Sequence, residues 1–539
     1  MEKDTSVWWK TGVIYQVYPR SFQDSDGDGI GDLQGVINRL DYLSKTLGVD
    51  AIWLSPFYPS PQADFGYDVM DYCNVDPVFG DLTVFDRLLC EAHQRGLKVI
   101  IDIVPNHTSD RHPWFVESRS SRENPKRDWY IWQDAKEDGT PPNNWLAVFG
   151  GSSWEWDETT QQYYLHSFLK EQPDLNWRNA DVREAMFNVY RFWLDRGVDG
   201  FRIDVAHYIM KDPEMRDNPI NRDPSKGELK PTGDYDKLLH IYDKGHPDVH
   251  GVYHDLRDIL DSYSPPRYSV GEIHIAEWKE WATYYGQNND ELHMPFNFAL
   301  LVAPWKAAAI RKVIENVEKV TPSWGWPNYV LGNHDEPRIA GRLGVEKARQ
   351  AAMLLLTLRG TPTLYNGDEF GQKNVEIPLE EQKDPWGKRV SGTGRDRNRT
   401  PNQWSPEANA GFTPAGVTPW LPVADDYRTV NMECELKESR SILNLYRKLL
   451  AFRKLSAAIK SGTYELIDPT PADCFAFLRQ SGHERIITAF NMGETTARFD
   501  FHRFGRLEII VSTGMDRAGL ADSRYVDLSP WEGLVLRVL

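Results

Sequence analysis

The chain has 539 residues, which is too long for one ordinary hydrophobic core, so we expect one large domain with additions. Its 79 acidic residues against 62 basic ones give a formal net charge of −17 at pH 7, which disfavours nucleic acid as a partner because phosphate-backbone binding needs a basic face. No window approaches about 18 consecutive apolar residues and no secretory pattern opens the chain, so we expect no membrane association and a cytoplasmic location.

Short runs of β-branched and aromatic residues recur along the chain, and each is followed by a loop and a helical pattern, as at 33–47 and 82–95. This alternation is typical of parallel βα units. Eight runs are predicted strands, at 13–18, 51–54, 98–104, 200–205, 268–273, 292–298, 328–332 and 361–365. Eight units favour an α/β fold with a (β/α)8 barrel over an open doubly wound sheet.

The alternation of predicted strands and helices is interrupted twice. A stretch crowded with Trp, Pro, Asn and Gly follows the third strand, and a stretch rich in Pro, Gly and Arg, at 373–425, follows the eighth. After a helical segment at 440–454 the pattern changes to short alternating runs, which indicate antiparallel strands. We therefore predict a catalytic barrel of residues 1–107 and 174–460, an inserted loop-rich domain of residues 108–173, and a C-terminal β-sandwich-like domain of residues 461–539.

Charged residues lie at the ends of four predicted strands. The third ends in the block 102–107, the fourth carries Arg202 and Asp204, the fifth ends in Glu272, and the seventh is followed by the block 333–335. A lone Asp at a strand end is more often a helix N-cap, and a lone His is often structural. Carboxylates that converge at a barrel mouth, however, repel one another, which favours a catalytic explanation for the group.

The ordered blocks resemble the signature regions of glycoside hydrolase family 13, the α-amylase family, and the resemblance extends from residues 15–22 to the last β domain. Residues 64–68, 172–176 and 399–401 are similar to the oligo-1,6-glucosidase and α-glucosidase branch. The resemblance implies an exo-acting, retaining α-glucosidase that forms a covalent glucosyl intermediate on short oligosaccharides, with transglucosylation. A small α-glucoside is then the expected partner, and we expect a monomer or weak homo-oligomer.

The resemblance also implies a role for each carboxylate. Asp204 is the expected nucleophile, Glu272 the general acid and base, and Asp335 the carboxylate that holds sugar hydroxyls in the distorted transition state. Two carboxyl groups about 5–5.5 Å apart cleave an acetal with net retention. Arg202 is expected to keep Asp204 ionised, whereas Glu272 needs a raised pKa to hold a proton near pH 7.

The remaining sugar-binding positions also follow from the resemblance. His107 and His334 resemble hydrogen-bond donors to the bound glucose. Asp64, Tyr67 and Arg399 resemble residues that close the blind end of the pocket, so that only a terminal glucose fits.

Val205 follows the expected nucleophile. A valine at this position resembles enzymes that accept α-1,6 bonds, whereas threonine goes with α-1,4 preference, so we expect cleavage of isomaltose. The loop after the fourth strand, roughly residues 207–252, is expected to shape the acceptor site.

Residues 24–32 read Asp-Ser-Asp-Gly-Asp-Gly-Ile-Gly-Asp, with carboxylates at alternate positions and glycines between them. This resembles the first nine residues of an EF-hand loop, although the usual glutamate at position twelve is replaced by Gly35. Metal-binding members of the family carry a similar loop. We expect a structural Ca²⁺, or less well Mg²⁺, with ligands from Asp24, Asp26, Asp28, the Ile30 carbonyl and Asp32.

Three alternatives stay open. A glucosyl-transferring or isomerising relative would share the covalent intermediate and differ in what intercepts it. A non-catalytic barrel of the amino-acid-transporter-subunit type should carry a membrane span and lack the carboxylates. A carbohydrate-binding scaffold would keep the aromatic residues and lose the nucleophile.

Overall fold

The computed structural model describes residues 7–223, 232–521 and 525–539. Its strands are β1 (Ile14–Val17), β2 (Ala51–Leu54), β3 (Lys98–Ile103), β4 (Trp132–Gln133), β5 (Trp154–Asp157), β6 (Gln162–Leu165), β7 (Gly200–Ile203), β8 (Tyr268–Gly271), β9 (Met294–Asn297), β10 (Asn328–Val330), β11 (Thr361–Tyr365), β12 (Thr463–Leu466), β13 (Cys474–Ser481), β14 (Glu484–Asn491), β15 (Ala497–Asp500), β16 (Leu507–Ser512), β17 (Gly519–Leu520), β18 (Tyr525–Leu528) and β19 (Gly533–Val538).

The α-helices are α1 (Trp8–Thr11), α2 (Leu33–Asn38), α3 (Leu82–Gln94), α4 (Pro113–Ser120), α5 (Ala180–Arg196), α6 (Val249–Asp261), α7 (Trp278–Thr283), α8 (Ala299–Val302), α9 (Ala307–Val320), α10 (Ile339–Leu343), α11 (Val345–Thr357), α12 (Pro385–Arg389), α13 (Met432–Lys437), α14 (Ile442–Leu455) and α15 (Ala457–Ser461). Within the described ranges, none of these helices has the length and apolar character needed to cross a bilayer.

Eight parallel strands close into a barrel in the order β1-β11-β10-β9-β8-β7-β3-β2. Each lies inside its predicted range, so the (β/α)8 prediction is confirmed. The register of β3 against β7 places Asp102 beside Arg202, and that of β7 against β8 places Arg202 beside Val270. Asp102 and Arg202, from adjacent barrel strands, therefore lie at the same level of the barrel.

Between β3 and β7 the chain leaves the barrel and forms α4 and a three-stranded antiparallel sheet in the order β4-β6-β5. Its aromatic residues build a small core around Trp145 and Trp154. A second cluster joins Phe149 and Phe168 of this segment to Val205 at the barrel mouth. The insertion after the third strand, predicted from its composition, thus lies against the mouth.

The C-terminal region forms a six-stranded sheet in the order β12-β13-β14-β19-β16-β17 and a two-stranded sheet of β15 and β18. Apolar side chains from both sheets share one core, for example Leu536 with Phe499. Alternate residues of the larger sheet, such as Phe475 and Phe477, join the main core of the barrel instead. Two layers of antiparallel strands agree with the prediction of a β-sandwich-like domain, and one layer packs on the barrel.

One predicted helix differs from the structure, and one predicted loop lies partly outside the described residues. The segment 33–47 was expected to be one helix, but α2 ends at Asn38 and a π-helix covers Tyr42–Leu47, ending at Gly48 in the left-handed conformation. Of the predicted acceptor loop at 207–252, residues 224–231 lie outside the described part of the chain.

Candidate active site

Three carboxylates face one pocket at the C-terminal ends of the barrel strands. Asp204 directly follows β7, Glu272 directly follows β8, and Asp335 lies in the loop after β10. The pocket has a volume of roughly 1000 Å³, including space open to solvent. Six of the nine predicted catalytic and sugar-binding residues line it: Asp64, Tyr67, His107, Asp204, Glu272 and Asp335. The other three, Arg202, His334 and Arg399, are buried beside it.

The backbone holds the two central carboxylates in place. The Asp204 N–H donates to the Ile103 carbonyl at 2.8 Å, and the Glu272 N–H donates to the Ile203 carbonyl at 2.9 Å. These bonds continue the parallel ladder beyond the ends of β7 and β8. Both side chains therefore start from rigid strand geometry rather than from a free loop.

Arg202 connects the carboxylates. Its Nη1 lies 2.8 Å from Asp102 Oδ1 and 2.7 Å from Asp204 Oδ1, and its Nη2 lies 2.5 Å from Glu272 Oε2. The side chain is only 1% exposed. One guanidinium thus compensates three buried carboxylates, and this pairing explains why an arginine can lie inside a barrel strand.

Burial acts on both carboxylates of the pair, and Arg202 offsets it to different extents. Burial raises the pKa of Asp204 well above its ordinary value, and Arg202 offsets only part of this effect. Burial also raises the pKa of Glu272, but Arg202 and His274 outweigh it and hold that pKa below its ordinary value. Arg202 contacts both carboxylates, while Glu272 also accepts from the Val205 N–H at 3.0 Å and lies 2.8 Å from His274 Nε2.

Asp335 is held as an anion by two arginines and a histidine. Its Oδ1 lies 2.7 Å from Arg399 Nη2 and 3.3 Å from Arg395 Nη1, and its Oδ2 lies 3.4 Å from His334 Nε2. Burial raises the pKa of Asp335, but the contacts with His334, Arg395 and Arg399 together hold it well below its usual range. An anionic carboxylate in this position can accept hydrogen bonds from sugar hydroxyls.

His334 is fixed in one orientation. Its ring is stacked between Tyr67, at 5.3 Å between centroids, and Tyr18, at 5.6 Å. Its Nδ1 accepts from Gln16 Nε2 at 2.8 Å, which places the ring proton on Nε2, 2.6 Å from the Tyr67 hydroxyl. Burial lowers the pKa of His334 to about 3, so the ring is a neutral donor at ordinary pH.

An arginine that the sequence reasoning missed holds the far side of the pocket. Arg395 Nη2 lies 2.6 Å from Asp64 Oδ1 and 2.7 Å from Asp384 Oδ1. Arg399, which the resemblance places at the blind end with Asp64 and Tyr67, donates to Asp335 and to the His334 carbonyl. The run of alternating arginines at 395–399 was the only available signal, and spacing alone does not tell which of them pairs with Asp64.

His107 lies beside this ion pair. Its Nε2 is 3.1 Å from Gln172 Nε2, and Gln172 Nε2 also donates to Asp64 Oδ2 at 3.3 Å. Burial lowers the pKa of His107 to about 4, so it too is neutral at ordinary pH. His107 and Asp64 therefore lie on the same wall of the pocket.

Apolar rings from three separate segments complete the pocket. Phe149 and Phe168 come from the insertion, Tyr208 follows β7, and Trp386 lies on α12. Phe149 and Trp386 are stacked at 5.0 Å between centroids. Flat apolar surfaces beside carboxylates suit a sugar, which presents C–H faces and polar edges.

The acidic loop at 24–32 contains a group that could hold a cation. Carboxylate oxygens of Asp24, Asp26 and Asp28 lie within 4.8 Å of one another. Three hard oxygen donors fit Ca²⁺. Asp32 has a different role here, because its Oδ1 accepts from the Gly35 N–H at 2.7 Å and caps α2.

Comparisons with known proteins agree with this geometry. Residues 16–462 match the family model described as the alpha amylase catalytic domain. A probable alpha-glucosidase of Rhizobium meliloti is 44% identical over 503 residues, 91% of this chain and 90% of that protein. The oligo-1,6-glucosidase of Parageobacillus thermoglucosidasius is 39% identical over 99% of each.

Among solved structures, the crystal structure of an alpha-glucosyl transfer enzyme superimposes with a TM-score of 0.93 at 42% identity and covers 99% of this chain and 100% of that one. The barrel, the three carboxylates at its mouth and these matches lead to one conclusion: the chain belongs to the α-amylase family and is a glycoside hydrolase.

Proposed function

We propose that the chain is an exo-acting, retaining α-glucosidase that releases α-glucose from the non-reducing end of short α-glucosides. The observation that carries this proposal is the placement of Asp204 and Glu272 on adjacent barrel strands, both bound to Arg202 and facing one pocket. The Asp64–Arg395 ion pair on the pocket wall supports exo action, since it would bar a longer chain from passing the terminal sugar.

Two displacements complete the reaction. An Asp204 oxygen attacks the anomeric carbon while Glu272 transfers its proton to the departing glycosidic oxygen, which leaves glucose bound covalently to Asp204. Glu272, now a carboxylate, takes a proton from water, and this water displaces Asp204. The anomeric centre is inverted twice, so the product has the α configuration.

The pair must enter this cycle with one proton, carried by Glu272. Asp204 and Glu272 share Arg202 and titrate as one coupled pair, so the placement of the proton belongs to the pair, and the bound substrate can favour Glu272 as its carrier. A glycosidic oxygen beside Glu272 provides an acceptor for the proton, and the positive charge developing at the anomeric carbon stabilises Asp204 as an anion.

Glucosyl transfer is the second candidate. The apolar rings beside the nucleophile, Phe149, Phe168, Tyr208 and Trp386, could bind an acceptor sugar and exclude water from the intermediate. The similarity to the alpha-glucosyl transfer enzyme supports this alternative. Product analysis at high substrate concentration distinguishes the two, because a transferase accumulates longer glucosides while a hydrolase accumulates glucose.

A structural Ca²⁺ is part of the proposal. Asp24, Asp26 and Asp28 would hold it, with the Ile30 carbonyl as a further ligand and Asp32 orienting the loop through α2. Bound cation would relieve repulsion among the carboxylates, and no step of the reaction needs it. The cytoplasmic location and the monomeric or weakly oligomeric state remain predictions from the sequence.

A substrate panel tests the function. Maltose, isomaltose, sucrose, trehalose and longer maltooligosaccharides should be compared, with glucose as the expected first product from the accepted substrates. The variant Asp204→Asn should abolish turnover of an aryl α-glucoside with the circular dichroism spectrum unchanged. Retention of more than roughly a few percent of the wild-type activity would overturn the assignment of Asp204 as the nucleophile.

A further inference from the structure

The two oxygens of Glu272 have different partners. Oε2 lies 2.5 Å from Arg202 Nη2 and accepts from the Val205 N–H at 3.0 Å. Both of these groups can only donate hydrogen bonds. A proton on Oε2 would face two donors, so the proton that Glu272 delivers must be on Oε1. Oε1 lies 2.8 Å from His274 Nε2.

The position of His274 is fixed by packing. Its ring lies parallel to Phe298, with an interplanar angle of 7° and 4.5 Å between centroids. Both rings line the pocket. The His274 side chain is 34% exposed, whereas that of Glu272 is 6% exposed. His274 therefore lies between the buried acid and the open part of the pocket.

A second histidine supports the backbone of the acid. His207 is buried, and its Nδ1 lies 3.3 Å from the Glu272 carbonyl oxygen. Its ring centroid is 6.1 Å from that of His274. His207 therefore contacts the backbone of Glu272, whereas His274 contacts the Oε1 atom of its side chain.

We propose that His274 is a positioning residue that keeps Oε1 as the proton-carrying oxygen of Glu272 and turns it towards the departing oxygen. The His274 Nε2–H donates to one lone pair of Oε1, and the carboxylic hydrogen on the same oxygen points to the substrate. When the glycosidic bond breaks, this hydrogen goes to the leaving oxygen, and a hydrogen from water replaces it in the second step. His274 ends the cycle with the hydrogen it began with. This inference deepens the proposed α-glucosidase function and rests on it.

The test compares two substrates that differ in their need for acid assistance. Maltose has a poor leaving group and needs the proton, whereas α-glucosyl fluoride needs little assistance. In His274→Phe, kcat/KM for maltose should fall by roughly 10- to 100-fold, part of the 10²–10⁴ typical of general acid catalysis. For α-glucosyl fluoride the fall should be less than about 3-fold. His274→Gln, whose amide can place a donor near the position of Nε2, should recover most of the maltose activity.

The chain offers a matched control. His250 Nδ1 lies 2.8 Å from Glu291 Oε2, and its side chain is 31% exposed, but neither residue lines the pocket. His250→Phe should therefore change kcat/KM for both substrates by less than about 2-fold.

Two results would overturn the positioning role: an equal loss on both substrates in His274→Phe, or full maltose activity in that variant. Failure of His274→Gln to recover activity would also overturn it. A wild-type protein that hydrolyses neither substrate would instead refute the α-glucosidase function on which the inference depends.

Discussion

Val205, which directly follows Asp204, combines an unusual backbone conformation with contacts to two parts of the pocket. It is β-branched, yet its φ is +35°, a conformation that such residues rarely adopt. Its N–H donates to Glu272 Oε2 at 3.0 Å, and its side chain packs with the aromatic residues of the pocket. Val205 therefore connects the end of β7, the carboxylate of Glu272 and the aromatic wall of the pocket. The residue types suggest a strand residue here, because a backbone angle cannot be read from sequence.

Replacement of Val205 by threonine tests the expected preference for α-1,6 bonds. The two side chains have the same shape, so the backbone should be preserved while one methyl becomes a hydroxyl. The ratio of kcat/KM for isomaltose to that for maltose should fall by roughly 10-fold, within the 1–3 kcal/mol typical of such pocket changes. An unchanged or increased ratio would contradict the role of Val205 in linkage selection.

The buried histidines should not control the pH dependence of activity. Because burial lowers the pKa of His334 to about 3, protonation of this ring begins only far below neutral pH, and it stays neutral from about pH 5 upwards. His334→Gln should lower kcat/KM, because it removes the ring that stacks between Tyr67 and Tyr18 beside Asp335, and should leave the acid limb of the pH profile in place. A profile measured between about pH 4 and 8 checks this, and a shift of the acid limb by about one unit would contradict it.

At the level of single elements, the barrel strands follow closely from the sequence and the loops do not. Each of the eight strands lies within its predicted range because buried parallel strands are continuous apolar runs. The segment 33–47 was harder, since its helical periodicity continues through the break after Asn38. The role of Asp32 was also hard to predict, because its carboxylate fits both a metal-binding loop and a helix N-cap.

Calcium should stabilise the acidic loop without taking part in catalysis. Excess Ca²⁺ should raise the melting temperature by a few degrees, and chelation should reverse this, because a ligand that binds only the folded state stabilises it by up to about 2.7 kcal/mol at 100 times its Kd. In the double variant Asp26→Asn, Asp28→Asn the shift should disappear while kcat at 25 °C stays unchanged. Full loss of activity on brief chelation, with the fold intact, would contradict a purely structural role.

Across the chain as a whole, the active site combines parts that the sequence reveals to different degrees. Asp204, Glu272 and Asp335 were predictable, because barrel strand ends converge. Arg395 and Trp386 were not, since they come from the irregular stretch 373–425, and only the fold shows that it returns to the barrel mouth. The oxygens that Arg202 reaches were not predictable either, because they depend on side-chain geometry.

The configuration of the first-formed glucose tests the proposed mechanism most directly. Attack by Asp204 followed by attack of water predicts that NMR spectra recorded early in the hydrolysis of an aryl α-glucoside, whose leaving group is not a sugar, show the α-anomer, which mutarotation then converts to the equilibrium mixture. Asp204→Asn should give no signal of either anomer in the same interval. An initial excess of the β-anomer would mean a single displacement by water, and would contradict a covalent intermediate on Asp204.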